Sequence, residues 1–373
     1  MNYSPKMKIK FPIFQVLLSL FSIFSTGQDN EAMIWYDASL LPIHGKLDTA
    51  NTAPFQRFPP KMEDKVREQV WQLSKNSAGL YLDFKTDAIN IIIHYQLEDE
   101  LAFPHMPATG VSGLDLYAHE EKEDWQWVKG KYSFKNTITY RFSNIKPLAK
   151  KELRVYRLYL PLYSSLKWMQ VGVAKSEVLK GLYDSDDKPI VVYGTSIVQG
   201  ACASRPGMAW PNILGRKSGR PVINLGFSGN GRLDPEIIDF LRRTDASIYV
   251  LDCMANFTSG QGLNPEEAEK RIAKAVNDIR ALQPEIPILL VEHAGYSDGN
   301  MQPARKITYV ELNRATENVF KKLKAQKTKF LYLLKKEEIG LAMDSFVDGT
   351  HPNDYGMLKY ANALKRKLDK IIK

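Results

Sequence analysis

The 373-residue chain carries 51 Lys and Arg against 42 Asp and Glu, a formal net charge of +9, with 44% hydrophobic and 25% charged residues. That composition is ordinary for a globular protein and excludes disordered and collagen-like classes. The length exceeds what one compact core usually holds, so two domains are expected.

Residues 1–27 open with MNYSPKMKIK, which has three lysines and no acid, and continue through the apolar run FPIFQVLLSLFSIF (11–24) to STGQ. A basic start, an apolar middle and small residues before a cut make a secretory signal pattern, with Ser25 and Gly27 preceding cleavage at Gln28. The run is broken by Pro12 and Gln15 and falls short of the ~20 residues that span a bilayer. The expectation is export to the periplasm or the exterior, with no stable membrane insertion. No cysteine follows the cut, so a lipid anchor is not expected there. Losing the three lysines lowers the charge from +9 to +6. The remaining excess forms no arginine stripe, which argues against a nucleic-acid partner.

Residues 28–180 read as β-rich. GLYLDFKTDAINIIIHYQL, LDLYAHEEKEDWQWVKG, TITYRFSNI and ELRVYRLYLPLYSSLKWMQVGV combine alternation with β-branched and aromatic residues, separated by turn-like clusters. Short strands at such spacing predict an antiparallel sandwich. Five of the six tryptophans (Trp35, Trp71, Trp125, Trp127, Trp168) fall here. Core packing accounts for them; stacking of one or two on sugar rings is the functional alternative. The charged stretch KSEVLKGLYDSDDKP (175–189) marks the boundary.

From 181 to 373 the rhythm changes. Apolar runs at 190–194, 222–226, 247–252, 287–292 and 330–334 alternate with helical patterns. One helix starts at Asn264, with Pro265 first and Glu267 in the capping-box position. Its predicted buried face is Ala268, Ile272, Ala275, Val276, Ile279 and Leu282. The last helix, from Asp354, places Leu358, Ala361, Leu364, Leu368 and Ile371 on one side. Continuous apolar strands between amphipathic helices predict a three-layer α/β/α domain with five parallel strands. Such sheets bind ligands beyond the carboxyl ends of their strands.

Ser196 lies just past the first of these strands, where it could cap a helix or act as a nucleophile. A serine hydroxyl needs a base, and the base needs orienting. His351 in FVDGTHPND has Asp348 three residues before it. His293 follows the fourth strand next to Glu292, but neighbours on a strand point to opposite faces. His44, His94, His105 and His119 fall in the β-rich half. The second strand leads into NLGFSGNGRLD and the third into LDCMANF, which presents Asn256. The backbone N–H groups of Ser196 and Gly229 and the Asn256 side chain could serve a forming oxyanion. Arg205, Met208 and Trp210 follow Ser196 closely. Arg205, Glu292 and His293 are candidates to contact substrate. Cys202 and Cys253 could pair in an oxidising compartment or remain buried thiols.

The order Gly-Thr-Ser-Ile, Ser-Gly-Asn, Met-Ala-Asn and Asp-x-x-His-Pro resembles the four blocks of the SGNH hydrolases, the GDSL-type esterases and lipases. The resemblance implies Ser196 as nucleophile, His351 as base, Asp348 orienting it, and Ser196, Gly229 and Asn256 as oxyanion donors. The family usually has Asp before the serine, where this chain has Thr195. GVSGLDLY (110–117) is similar to the Gly-x-Asp-Leu-Tyr signature of a β domain that precedes SGNH domains in exported bacterial proteins. The resemblance implies a jelly-roll-like all-β first domain followed by a flavodoxin-like α/β/α SGNH domain. The implied activity is a serine esterase acting on short, O-acetyl esters of a carbohydrate, without metal or organic cofactor. Longer acyl chains and a non-catalytic glycan-binding protein are the alternatives. A nucleotide site lacks Gly-x-Gly-x-x-Gly, and a metallohydrolase lacks His-x-His or His-Glu-x-x-His. Oligomeric state is not legible.

Overall fold

Alternating apolar residues build the first half of the computed structural model, which describes residues 32–120, 124–148, 152–183, 187–258 and 262–372. The signal segment expected at 1–27 lies outside the described residues. The strands are β1 (Met33–Asp37), β2 (Ile43–His44), β3 (Tyr81–Thr86), β4 (Ile91–Leu97), β5 (Asp115–His119), β6 (Gln126–Val128), β7 (Lys131–Ser133), β8 (Ile138–Phe142), β9 (Arg154–Tyr159), β10 (Leu166–Ala174) and β11 (Leu179–Gly181). They pair antiparallel in two sheets, ordered β1-β10-β4-β8-β7 and β11-β3-β9-β5-β6, with β2 beside β3. Every second side chain, such as Leu82 and Phe84, Ile91 and Ile93, Tyr156 and Leu158, enters one shared core. That period is the pleat of a sandwich buried on one face of each sheet, so the antiparallel sandwich agrees with the sequence. Two short helices interrupt it, α1 (Glu68–Ser74) and α2 (Ala108–Val111).

In the second half, β12 (Ile190–Gly194), β13 (Val222–Gly226), β14 (Ile248–Asp252), β15 (Ile288–Val291) and β16 (Leu331–Leu334) form a parallel sheet in the order β13-β12-β14-β15-β16. Its helices are α3 (Ser196–Gln199), α4 (Trp210–Ser218), α5 (Pro235–Leu241), α6 (Pro265–Leu282), α7 (Pro303–Ala325), α8 (Lys336–Ile339) and α9 (Asp354–Leu368). Tyr193, Leu225, Tyr249 and Leu290 pack under α5, α6 and α7. Val192, Val250 and Leu289 face α4 and α9 on the other side. This is the expected three-layer arrangement. The strand order turns at β12, whose neighbours are β13 on one side and β14 on the other. Ligand sites of such sheets open at that point.

Helix boundaries follow the caps. Asn264 accepts from the Glu267 N–H at 2.8 Å, while the Glu267 carboxylate turns to Arg271 at 2.8 Å instead of closing the box. Five of the six residues predicted for the α6 face are buried; Leu282, in the last turn, is exposed. In α9 the buried stripe runs through Met357, Tyr360, Ala361, Leu364 and Leu368. Leu358 is exposed, because the stripe sits one residue earlier in that turn.

Asp115 and Tyr117 of β5 face the second half, while Leu116 between them enters the sandwich core. Buried Asp115 accepts from the Gly207 N–H at 2.9 Å and from Trp127 Nε1 at 2.6 Å, and pairs with Arg205. Arg205 also bonds the Tyr117 hydroxyl. A Cβ at Gly207 would overlap Tyr117 and the Asp115 carboxylate, so only glycine allows this approach. Replacing Asp115 by Ala strands a partly buried guanidinium and two N–H donors. It is expected to lower unfolding free energy in urea by about 3–5 kcal/mol, whereas a dispensable contact would leave the midpoint unchanged.

Asp252, at the end of β14, is buried and accepts from the Tyr360 hydroxyl at 2.7 Å. Burial pushes its pKa up to about 7 despite that bond. The folded chain therefore holds this proton at pH values where the unfolded chain has lost it. Its contribution to stability falls as pH rises from about 4 to about 7 and is flat above. The span of about three units corresponds to at most ~4 kcal/mol. Asp252→Asn is expected to melt progressively higher than wild type as pH rises across that window. Equal pH dependence in both proteins would refute the assignment.

Candidate active site

Strand β12 stops at Gly194, and Thr195 takes the N-cap position, its Oγ1 accepting from the Ile197 N–H at 3.3 Å. Ser196 is then the first residue of α3, and its hydroxyl is not spent on capping. Ser196 Oγ lies 2.9 Å from His351 Nε2. His351 Nδ1 lies 2.7 Å from Asp348 Oδ2. The Asp348 Oδ1 atom accepts the N–H groups of His351 at 2.8 Å and Thr350 at 3.0 Å. Burial pushes the Asp348 carboxyl up, but those amides and the imidazole outweigh it, and the net shift is downward. Asp348 is thus held as a carboxylate that fixes the tautomer of His351: Nδ1–H donated, Nε2 open to the serine proton.

The loop bearing both residues is braced from outside. Val347 N–H donates to the His351 carbonyl at 2.9 Å, and Ser297 N–H to the Gly349 carbonyl at 3.1 Å. Arg305, on α7, pairs with Asp298 at 2.8 Å, stacks on Tyr296 at 3.9 Å and donates to Thr350 Oγ1 at 2.9 Å.

After β13, residues 226–231 wrap the start of α3. Phe227 N–H donates to the Gly194 carbonyl at 3.0 Å, and Ser228 N–H to Gln199 Oε1 at 2.9 Å. Gly229 has φ +68°, a left-handed value that suits glycine. Asn256 Oδ1 accepts the Gly231 N–H at 2.9 Å, which leaves the Nδ2 end of the amide to face elsewhere. Two arginines of the first half hold this loop. Arg57 donates to the carbonyls of Gly226 at 2.6 Å and Asn224 at 3.3 Å. Arg67 bonds Asn230 Oδ1 at 2.6 Å and pairs with Asp234 at 3.0 Å.

A cleft of about 560 Å3 opens beside Ser228 and His351. Most of its wall comes from the first half: Glu68, Gln69, Gln72 and Leu73 of α1, then Phe103, His105, Met106 and Tyr163. Sequence reasoning places His105 among the histidines of the β-rich half. The structure sets it at the tip of a tight turn closed by Phe103 and Met106. Its ring centroid is 5.7 Å from that of His351. No local pattern announces this, since the two are 246 positions apart.

The other expected contacts fall elsewhere. Arg205 is engaged by Asp115 and Tyr117 and lines a separate cavity with Trp125 and Arg216. Its positive charge serves the junction between the halves. Glu292 is buried and accepts the Lys336 N–H at 2.8 Å. His293 is buried between Tyr296 and Tyr309, its Nδ1 accepting the Gly295 N–H at 2.9 Å. Burial pulls the His293 pKa down to about 3, so it stays neutral. Neither lines the cleft. Cys202 and Cys253 are free thiols on opposite faces of the parallel sheet, one packed with the α4 and α9 layer and the other with α5 to α7.

Two family models cover the described halves. Residues 187–369 match a GDSL-like lipase/acylhydrolase family, and residues 33–179 match the GxDLY domain found at the N-terminus of SGNH-hydrolase-type esterases. A Bacteroides ovatus protein described as a GDSL-like lipase superposes with a TM-score of 0.84 at 32% identity, covering 92% of this chain and 99% of its own. The salicylyl-acyltransferase SsfX3 of a tetracycline biosynthetic pathway gives 0.70 at 17% identity, over 92% and 96%. A family two carbohydrate esterase from Cellvibrio japonicus gives 0.58 at 10%, over 91% and 98%. No curated protein matches the chain. These family matches make the chain an ester hydrolase. The chain belongs to the GDSL-like lipase/acylhydrolase family, the SGNH hydrolases.

Arg305→Met removes the brace behind the 348–351 loop without touching the cleft. A displacement near 1 Å can cost ~100-fold in rate. The variant is expected to lose ~10- to 100-fold in kcat on an activated ester with KM little changed, and a KM effect alone would reject the brace.

Proposed function

We propose that this chain is an exported serine esterase that removes short acyl groups, O-acetyl foremost, from a carbohydrate. The reading rests on one observation, the unbroken chain from Ser196 Oγ through the His351 imidazole to Asp348, at 2.9 and 2.7 Å. His351 takes the Ser196 proton as the hydroxyl attacks the ester carbonyl. Asp348 stabilises the imidazolium. The oxyanion is received by the N–H groups of Ser196 and Gly229 and by Asn256 Nδ2, whose carbonyl end is anchored on Gly231. The alcohol leaves with the proton from His351, and water then repeats the sequence on the acyl-enzyme.

Support for a carbohydrate comes from the polar side of the cleft, where Glu68, Gln69 and Gln72 can pair with hydroxyls, and from the carbohydrate-esterase fold relative. Support for export is the basic and apolar pattern of residues 1–27. A second reading has an observation of its own. The cleft is larger than an acetyl group needs and carries Leu73, Phe103, Met106 and Tyr163, which suit a longer acyl chain.

Hydrolysis of p-nitrophenyl acetate, butyrate and octanoate by the mature protein separates these. The expected result is fastest turnover of acetate, abolished in Ser196→Ala and reduced ~100- to 1000-fold in Asn256→Ala. Release of acetate from acetylated oligosaccharides then identifies the alcohol. A preference for octanoate overturns the acetyl reading, and activity retained in Ser196→Ala overturns the serine mechanism.

A further inference from the structure

Cys202 closes the turn that follows α3 in a left-handed conformation, φ +66°, that residues other than glycine seldom adopt. This backbone aims a buried thiol across the junction between the halves, where Sγ donates to the His105 carbonyl at 3.3 Å. The His105 ring stands beside that of His351. One donor atom from each of His105, Cys202, Asp348 and His351 lies within 4.8 Å of all the others. Small side-chain rotations bring such a cluster to the spacing of about 3.5 Å that bonds of 2.0–2.3 Å give in a tetrahedral site.

The donor types narrow the ligand. Two imidazoles, a thiolate and a carboxylate suit zinc and its soft or borderline neighbours, whereas magnesium and calcium take oxygen donors. An ion that takes the Asp348 carboxylate breaks its bond to His351 Nδ1, so the imidazole loses its orienting partner as the site fills. We propose that these four side chains form a binding site for a zinc-class divalent transition-metal ion, and that an ion held there withdraws His351 from Ser196 and stops the esterase. On binding, the Cys202 thiol gives its proton to water and its thiolate replaces a water on the metal. The two histidines each donate a ring-nitrogen lone pair. No electron is transferred. An imidazole whose lone pair is committed to a metal cannot accept the serine proton. The inhibitory part rests on the serine-esterase reading; the binding part does not.

The site requires residues from both halves of the chain, two loops of the second and the hairpin turn of the first. On the serine-esterase reading the ion takes no part in the reaction and acts as an off-switch.

Titration of the mature protein with Co2+ tests both parts. Binding through Cys202 gives a thiolate-to-cobalt charge-transfer band that saturates at one equivalent, and p-nitrophenyl acetate turnover falls in parallel and returns with a chelator. Cys202→Ser is expected to lack the band, to bind Co2+ at least ~10-fold more weakly and to keep its metal-free activity. Cys253→Ser, on the opposite face of the sheet, keeps the band. If Cys202→Ser melts early, His105→Gln carries the same test of affinity. No band in the wild type, or a band that survives in Cys202→Ser, overturns the site. A band without loss of activity overturns the inhibition. A metal-free protein that hydrolyses no ester sinks the esterase reading, while the band still decides the site.

Discussion

A guanidinium buried without a carboxylate organises this molecule. Arg57 is 1% exposed, and among the described residues none of its hydrogen bonds goes to an acid. Burial draws its pKa down to about 9, far below the usual value for arginine. Four carbonyls, two at the end of α1 and two at the end of β13, offset that cost, with Phe227 stacked 4.7 Å away. A planar fork can reach four acceptors at fixed angles, which the ammonium of a lysine cannot. The consequence is mechanical. The helix that walls the cleft and the strand end that leads into Ser228 and Gly229 are tied to one rigid group.

The rest of the site is tied in the same way, through loops that hold one another. Gln199 accepts from Ser228 and donates to Leu162 and Asn76, so α3 is fastened to both halves. Arg67 fastens Asn230, and Asp115 fastens Gly207. The β-sandwich is therefore a component of the candidate site rather than an appendage. It supplies most of the cleft wall, and the Asp-Leu-Tyr run is a clamp on the hydrolase half. The signature works because a buried aspartate can satisfy Arg205, Trp127 and the Gly207 amide together.

This arrangement also explains why Thr195 in place of the family's usual aspartate is compatible with the geometry. Thr195 Oγ1 caps α3, leaving the Ser196 hydroxyl in line with His351. The carboxylate bonded to His351 lies 153 positions after Thr195, at Asp348, on a loop shaped by left-handed Gly349.

What the sequence alone determined is local and periodic. Pleat alternation marked the sandwich, continuous apolar runs marked the parallel sheet, and Asn264 with Pro265 marked the start of α6. Ser196, Asp348 and His351 were readable because strand ends and a tight Asp-x-x-His loop are short-range features. Even so, a one-residue shift misplaced Leu358, because periodicity fixes a face only to within one residue. Tertiary structure decided the rest. Glu292 and His293 directly follow a strand end and Arg205 comes soon after Ser196 in sequence, yet burial and ion pairing direct them away from the cleft. His105, Glu68 and Gln72 reach it from the other half, and Cys202 meets His105 across the junction. Contacts between side chains so far apart in the chain depend on how two folded surfaces dock, and no spacing in the sequence encodes that distance.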